Sequence, residues 1–373
     1  MTTLSTELPG KKPREQTRQL TIGGGARGGE SKSVLLGGGA PVVVQTMLNT
    51  PTGEVAACLA QINALAEEGC SIIRLAVESP RDLDPFEEIC KESPLPVVAD
   101  VHFDYRLAVE AARRGAAKLR INPGNIGGRD KVDAVIEAAG EAGIAIRIGV
   151  NAGSLSEEIK SYEALSTAGK LVFSATQLVE HFEGRSFKDI VLSAKASYVN
   201  ETIEAYRTLS MALPHIPLHL GITEAGTVWA GSIRSAVGIG TLLAEGIGDT
   251  VRVSLTADPA EELRVAHEIL AALRLSEPRG VTLISCPTCS RCKVDLISIA
   301  TEVEQRLSGV KEPLRVAVMG CVVNGPGEAA EADIGVACGK GTGAIFAKGK
   351  VLYTVEEGAI IESLFKELES VLK

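Results

Sequence analysis

Short apolar runs alternate along the first three-quarters of the chain with longer stretches whose apolar residues recur at helical spacing. The runs are VVVQTM, IIRLAV, VVADVHF, KLRINPG, IRIGVNAG, IVLSAKAS, LHLGITEAG and TVRVSLT, marked in turn by Gln45, Arg74, Asp100, Arg120, Arg147, Lys195, His219 and Arg252. Between them lie stretches such as 54–68, 130–142 and 259–273, rich in Ala, Leu and Glu. A strand buried on both faces reads as a nearly continuous apolar run, and a run followed by an amphipathic helix is a βα unit. Eight such units in about 250 residues predict a TIM-type (β/α)8 barrel. The interval from Arg147 to Lys195 is longer than one strand and one helix need, so an excursion is expected at 154–188.

After the eighth helix, SEPRG (276–280) interrupts both periodicities with Pro and Gly and reads as a linker. Residues 1–275 are therefore assigned to the barrel and 281–373 to a small α+β domain. That domain is predicted to run as strand 281–285, a cysteine cluster, helix 294–307, strand 314–319, a loop, three short strands with Gly turns, and helix 356–372.

Composition narrows the function classes. The 373 residues carry a net charge of −9 and are 45% hydrophobic, enough for a full core. An acidic total with only 3% aromatic residues argues against a nucleic-acid groove, which needs a basic stripe and stacking rings. No segment approaches the ~18 apolar residues of a membrane span, and the first thirty residues lack the apolar core of a signal peptide, so a cytoplasmic protein without membrane partners is expected. In such a chain, clustered cysteines suggest metal rather than disulfides. Cys58, Cys70 and Cys90 lie in apolar or helical contexts, and Cys338 at a strand end reads as a buried thiol.

Charged or amide residues stand at or just past nearly every strand end: Arg74, Asp100 and His102, Arg120 and Asn122, Arg147 and Asn151, Lys195, His219 and Glu224, Arg252 and Ser254. Inward positions of a barrel are filled with apolar layers except at the mouth. Four arginines and a lysine from separate strands thus converge on one rim, and guanidinium forks suit a ligand with more than one phosphate-type charge. Asp100, His102 and Glu224 either move protons among these cations or orient them by hydrogen bonds. GNIGG (124–128) could offer backbone amides to a phosphate, whereas the glycines at 23–29 and 37–39 read as turns.

SCPTCSRC (285–292) and MGCVVNGPGE (319–328) bring thiols at two-residue spacing together with a remote cysteine, a pattern for zinc or an iron–sulfur cluster. Apolar flanks favour the cluster. One ligand set is Cys286, Cys289, Cys292 and Cys321, as in an electron carrier. The other is Cys286, Cys289 and Cys321 with Glu328, a weaker ligand that a substrate oxygen could displace.

With CPTC and CVVNGPGE at this separation, and RLAV, ADVHFDYRLA, KLRINPGN, RIGVNAGSL, GITEAG and RVSLT along the strands, the chain resembles the bacterial 4-hydroxy-3-methylbut-2-enyl diphosphate synthases of the non-mevalonate isoprenoid pathway. The resemblance covers nearly the whole chain. It implies a barrel joined to a cluster domain, and the reductive ring opening and dehydration of 2-C-methyl-D-erythritol 2,4-cyclodiphosphate with two electrons from flavodoxin or ferredoxin. It further implies a [4Fe–4S] cluster on Cys286, Cys289, Cys321 and Glu328. Arg74, Arg120, Arg147, Asn151, Lys195, Arg252 and Ser254 then hold the diphosphate, Glu224 acts as acid or base, and Asn324 meets the substrate from the cluster side. Asp100, His102, Asn122 and His219 complete the site. Cys292 departs from the family pattern and keeps the all-cysteine set open. The alternatives are a non-redox barrel lyase or synthase with a zinc-stapled domain, and an electron carrier.

Chain direction adds an expectation about assembly. Residues 258–273 carry the chain ~24 Å back along the barrel, and a five-residue linker reaches at most ~18 Å. A homodimer in which each cluster domain caps the partner's barrel meets this limit.

Overall fold

The computed structural model describes residues 13–24, 33–307, 309–310, 312–321 and 331–372. Each of the eight apolar runs contains a strand: β3 (Val43–Met47), β4 (Ile72–Ala76), β5 (Val97–Val101), β6 (Lys118–Ile121), β7 (Ala145–Asn151), β8 (Ile190–Lys195), β9 (His219–Leu220) and β10 (Thr250–Val251). They are hydrogen-bonded in the order β8-β7-β6-β5-β4-β3-β10-β9, all neighbouring pairs parallel. A parallel bridge from Leu192 to Leu218 brings β8 to β9 and closes the ring. The architecture is the (β/α)8 barrel the pattern predicts.

Strand alternation sorts the residues. Along β6, Leu119 and Ile121 pack outward into the main core under the helices, while Lys118 and Arg120 point inward. The same rule turns Arg74, Asp100, Arg147, Ser193 and Lys195 into the barrel. The long interval after β7 holds a helical turn, a short helix Glu157–Lys160 and then the barrel helix Thr167–Gly184, whose Ser166 caps it through Gly169 N–H.

The opposite end of the barrel is sealed by an element the sequence pattern did not disclose. Strands β1 (Leu20–Ile22) and β2 (Val34–Leu36) form an antiparallel hairpin. Its Leu20, Ile22 and Leu36 pack against Val43, Ile72, Val98, Ala145 and Val191 from the starts of five barrel strands. Asp249 fastens the preceding segment, accepting hydrogen bonds from Thr17 Oγ1 (2.9 Å) and Leu218 N–H (2.8 Å). Of the glycine-rich lead-in, residues 25–32 lie outside the described residues; Gly37, Gly38 and Gly39 have φ of +84°, +63° and +82°, the turn conformations read for them.

The chain divides into two compact units, Met1–Ser276 and Glu277–Lys373. The second contains a five-stranded mixed sheet in the order β11 (Val281–Ser285), β12 (Leu314–Met319), β13 (Ile334–Cys338), β14 (Thr342–Ala347), β15 (Lys350–Glu356). The first three strands are parallel neighbours and the last three antiparallel. Helices Leu296–Leu307 and Ile360–Val371 bury Ile299, Val303, Leu364 and Leu368 in a separate core with Val316, Val318 and Val336. No described helix is long and apolar enough to cross a membrane.

Because Ile22 is fully buried at the centre of the seal, Ile22→Ala should cost about 2–5 kcal/mol, read as a shift of the barrel's urea midpoint. A loss below about 1 kcal/mol would make the hairpin a peripheral ornament rather than the barrel's floor.

Candidate active site

The inward cations are brought together by register. Asp100 on β5 pairs with Arg120 on β6, which pairs with Arg147 on β7, and Asn151 at the end of β7 pairs with Lys195 on β8. Arg74, Arg120, Arg147 and Lys195 are all buried. Asp100, only 4% exposed, accepts a hydrogen bond from Arg120 Nη1 at 2.9 Å and lies 3.6 Å from Arg74 Nε and 3.5 Å from His102 Nε2. Burial disfavours its charge, but Arg74, His102 and Arg120 together hold the carboxyl well below the usual carboxylate range. Asp100 therefore stays ionised and acts as the anchor of two guanidinium groups.

Arg252 is held differently. Its Nη2 and Nε donate to Glu262 at 3.0 and 3.2 Å, and Glu262, itself buried, also accepts from Thr46 Oγ1 and Leu255 N–H. Arg74 turns Nε and Nη2 to the Met47 sulfur at 3.2 and 3.0 Å. Arg147 is 2% exposed, donates through Nη1 to Ser193 Oγ at 2.8 Å and leaves Nε unpartnered. Among the described residues no carboxylate pairs with Arg147 or Lys195. Burial, then the charges of Arg74 and Arg120, press the Arg147 pKa well below the ordinary arginine value. Burial, then Arg147 and Arg252, do the same to Lys195. This is a pocket short of negative charge.

Around it, Asn122 accepts from Gly124 N–H at 3.1 Å and donates to Ser154 Oγ at 2.8 Å, so its amide secures the loop after β6 to the turn after β7. GNIGG becomes the short helical turn Pro123–Ile126 and the residues after it. Asn151 and Ser254 are half-buried, at and just past their strands. Glu224, after β9, is exposed and adopts φ +54°, a left-handed backbone that a glutamate rarely takes and that strain at functional loops commonly explains. His219 is fully buried with both ring nitrogens unpartnered; burial and the neighbouring cations, Arg147 first, keep it neutral.

In the second unit Cys286 follows β11 and Cys321 comes two residues after β12; register pairs Ser285 with Val318, so both cysteine-bearing loops leave the same end of the sheet. Gly320 N–H donates to Cys286 Sγ at 3.1 Å, and a Cβ at Gly320 would lie 2.7 Å from Cys292 Sγ, so a larger residue there would push that thiol aside. Cys289 is exposed, its pKa lowered by hydrogen bonds from the Arg291 backbone and side chain. All eight cysteines are free thiols. This donor chemistry suits an iron–sulfur cluster, although among the described residues no three candidate ligands already converge on one point. Glu328 and Asn324 lie outside the described residues.

Sequence reasoning missed Glu262, Ser193, Met47 and Lys118. Alternation offered a signal for two of them, since Lys118 and Ser193 stand two residues before Arg120 and Lys195 on the same strands; Glu262 sits in a helix first turn and gave none.

A closed parallel barrel with charged side chains gathered inside its strand ends is the architecture of a barrel enzyme for a small anionic ligand. The chain belongs to the GcpE family: residues 29–267 match the GcpE TIM-barrel domain and residues 282–370 the GcpE protein C-terminal domain. It is 52% identical over 362 residues to the 4-hydroxy-3-methylbut-2-en-1-yl diphosphate synthase (flavodoxin) of Caldanaerobacter subterraneus subsp. tengcongensis, covering 97% of this chain and 99% of that one. The proteins of the same name from Clostridium perfringens and Bacillus subtilis are 50% and 49% identical, covering 96% and 95% of this chain and 99% and 92% of theirs.

Replacing Asp100 by Asn leaves two buried guanidiniums without their anion and should cost about 3–5 kcal/mol at neutral pH. Since the folded pKa is depressed, the carboxylate's contribution is complete above the ordinary value of about 4 and fades as pH falls through the lower folded value. The gap between wild type and variant in urea titrations should accordingly narrow on acidification, and a gap independent of pH would show that Asp100 does not carry this charge.

Proposed function

We propose that the chain is a cytoplasmic 4-hydroxy-3-methylbut-2-enyl diphosphate synthase, which opens the ring of 2-C-methyl-D-erythritol 2,4-cyclodiphosphate reductively and releases water, with two electrons from a flavodoxin or ferredoxin. The observation that carries this reading is the set of buried cations in the barrel mouth with too few carboxylates to match them. A multiply charged anion would relieve the repulsion within such a set, and guanidinium forks suit phosphate oxygens.

In this reading Arg147 and Lys195, lacking carboxylate partners, receive the phosphate oxygens with Arg74 and Arg120, while Glu262 aims Arg252 at the same anion. Asn151 and Ser254 add uncharged contacts, and Asn122 steadies the loop beside them. Asp100 fixes the guanidiniums, with His102 beside it, and does not itself transfer a proton. Glu224, exposed and held on a strained backbone, is the carboxyl free to exchange a proton near the bond that breaks. His219 stays a neutral donor and acceptor within the barrel.

Cys286, Cys289 and Cys321 with Glu328 would hold a [4Fe–4S] cluster, and Asn324 would meet the substrate from that side. When bound, the cluster supplies electrons singly and an iron whose carboxylate ligand is exchangeable. Gly320 N–H would stabilise the Cys286 thiolate. The active form is a homodimer in which the second unit of one chain closes the barrel of its partner, a reading supported by the short run of chain after helix Pro259–Ala272.

Anaerobically reconstituted enzyme should turn over the cyclic diphosphate when reduced by dithionite or flavodoxin, and a protein that neither binds nor converts it refutes the assignment. Cys321→Ser should lose the cluster, whereas Cys292→Ser should keep four irons and most of the activity. Loss of iron in Cys292→Ser with retention in Glu328→Ala would instead install the all-cysteine set. Mixing Cys321→Ala chains with Arg147→Ala chains should restore one working site per mixed dimer; heterodimers verified by mass but inactive would mean that each chain completes its own site.

A further inference from the structure

Beneath the cationic mouth lies a second group of polar side chains, of which the proposed function employs only His219. Lys118 begins β6 and stands in register between Val98 and Ala145, two inward-facing members of the apolar seal. It is fully buried, and its Nζ has no hydrogen-bond partner. Gln45, 1% exposed, has neither amide atom paired, and Thr250, fully buried, has an unpaired hydroxyl. Thr250 stands in register with His219 on one side and with Val43 on the other, and Gln45 is the next inward position on β3. Four polar side chains from four strands therefore face the barrel interior, all buried, with every side-chain polar atom unpartnered.

Buried polar groups are almost always paired, and a lysine among the least of all to stand alone. The charged groups around this lysine repel its ammonium. Burial and then Arg147 and Arg74 draw its pKa down to about 7. Arg120, Lys195 and Arg252 add positive charge from β6, β8 and the end of β10; His219 on β9 is neutral; Asp100 on β5 is engaged by Arg74 and Arg120, and Glu262 by Arg252. Among the described residues, nothing supplies Lys118 with a counter-charge.

We propose that Lys118, with Gln45, Thr250 and His219, is the floor of the anion site, contacting the phosphate group seated deepest in the barrel, and that Lys118 takes up a proton from solvent as that anion enters. This rests on the diphosphate reading and extends it to a residue outside the rim. The amine is neutral or partly so in the empty barrel, where an ammonium has only like charges for company, and is an ammonium once a phosphate oxygen reaches it. Gln45 and Thr250 then donate to the remaining oxygens, and their acceptor atoms receive the Lys118 or His219 N–H.

The test measures proton uptake in weakly buffered solution at pH 8 when the cyclic diphosphate is added to unreduced enzyme, with sulfate as a second probe; neither anion titrates near neutrality. Wild type should take up as much as about one proton per anion bound. Lys118→Met, which keeps the stem, should take up measurably less than wild type, what is left belonging to Lys195, and bind the cyclic diphosphate roughly tenfold or more weakly, with its melting temperature unchanged or raised. His219→Gln should retain the uptake. Wild-type binding without uptake, uptake undiminished in Lys118→Met, or uptake lost in His219→Gln alone each overturns the proposal, the first without needing any variant to fold. Sulfate binding with Lys118-dependent uptake in a protein that ignores the cyclic diphosphate would instead refute the substrate assignment and leave the floor standing.

Discussion

A guanidinium taken into a protein interior must meet an anion there, and the barrel meets this requirement only in part. Asp100 anchors Arg74 and Arg120, and Glu262 grips Arg252. Among the described residues Arg147, Lys195 and Lys118 have no such partner, and their mutual repulsion is carried by the rest of the fold. What holds them is strand alternation: each cation shares its strand with outward residues such as Leu119, Ile121, Ile146, Ile148 and Leu192, whose burial under the helices fixes which way the others face. A one-residue slip of β6 or β7 would push the arginines into the helix layer and the isoleucines into the mouth. The apolar shell and the polar interior are thus two faces of one register.

Asp100 and Glu224 stand in different surroundings. Asp100 lies where three positive or protonatable groups converge and cannot give up its charge at neutral pH. Glu224 is exposed, on a backbone turned left-handed in the loop after β9. Composition alone cannot separate two such carboxylates; their surroundings do.

The strands, their order of appearance and the cations at their ends were legible in the chain because parallel barrel strands are dense in Val, Ile and Leu and a charge inside such a run is conspicuous. The excursion near Ser154 was legible from the long interval between Arg147 and Lys195, and the Cys286–Cys289–Cys292 spacing was visible without any fold. The hairpin of β1 and β2 was not, since three-residue strands separated by a glycine-rich stretch carry too little periodicity. Glu262 was invisible because it belongs to an ordinary helix start and acquires meaning only from Arg252 and Thr46 across space. Lys118 was hidden in plain view: KLR reads as one basic cluster until the alternation of β6 shows that both of its cations point inward.

The hairpin has a consequence for traffic. With Leu20, Ile22 and Leu36 wedged among the strand starts, the described residues close the barrel at that end. In the proposed function, an anion that enters past Arg147 and Lys195 leaves the same way, and water displaced by it passes it on the way out or remains beneath it. Binding and release therefore share a single bottleneck lined with positive charge, which quickens the arrival of an anion and slows its departure by the same electrostatic means. In a dead-end vessel of this kind, the chemistry of the interior and the rate of emptying are not separate problems.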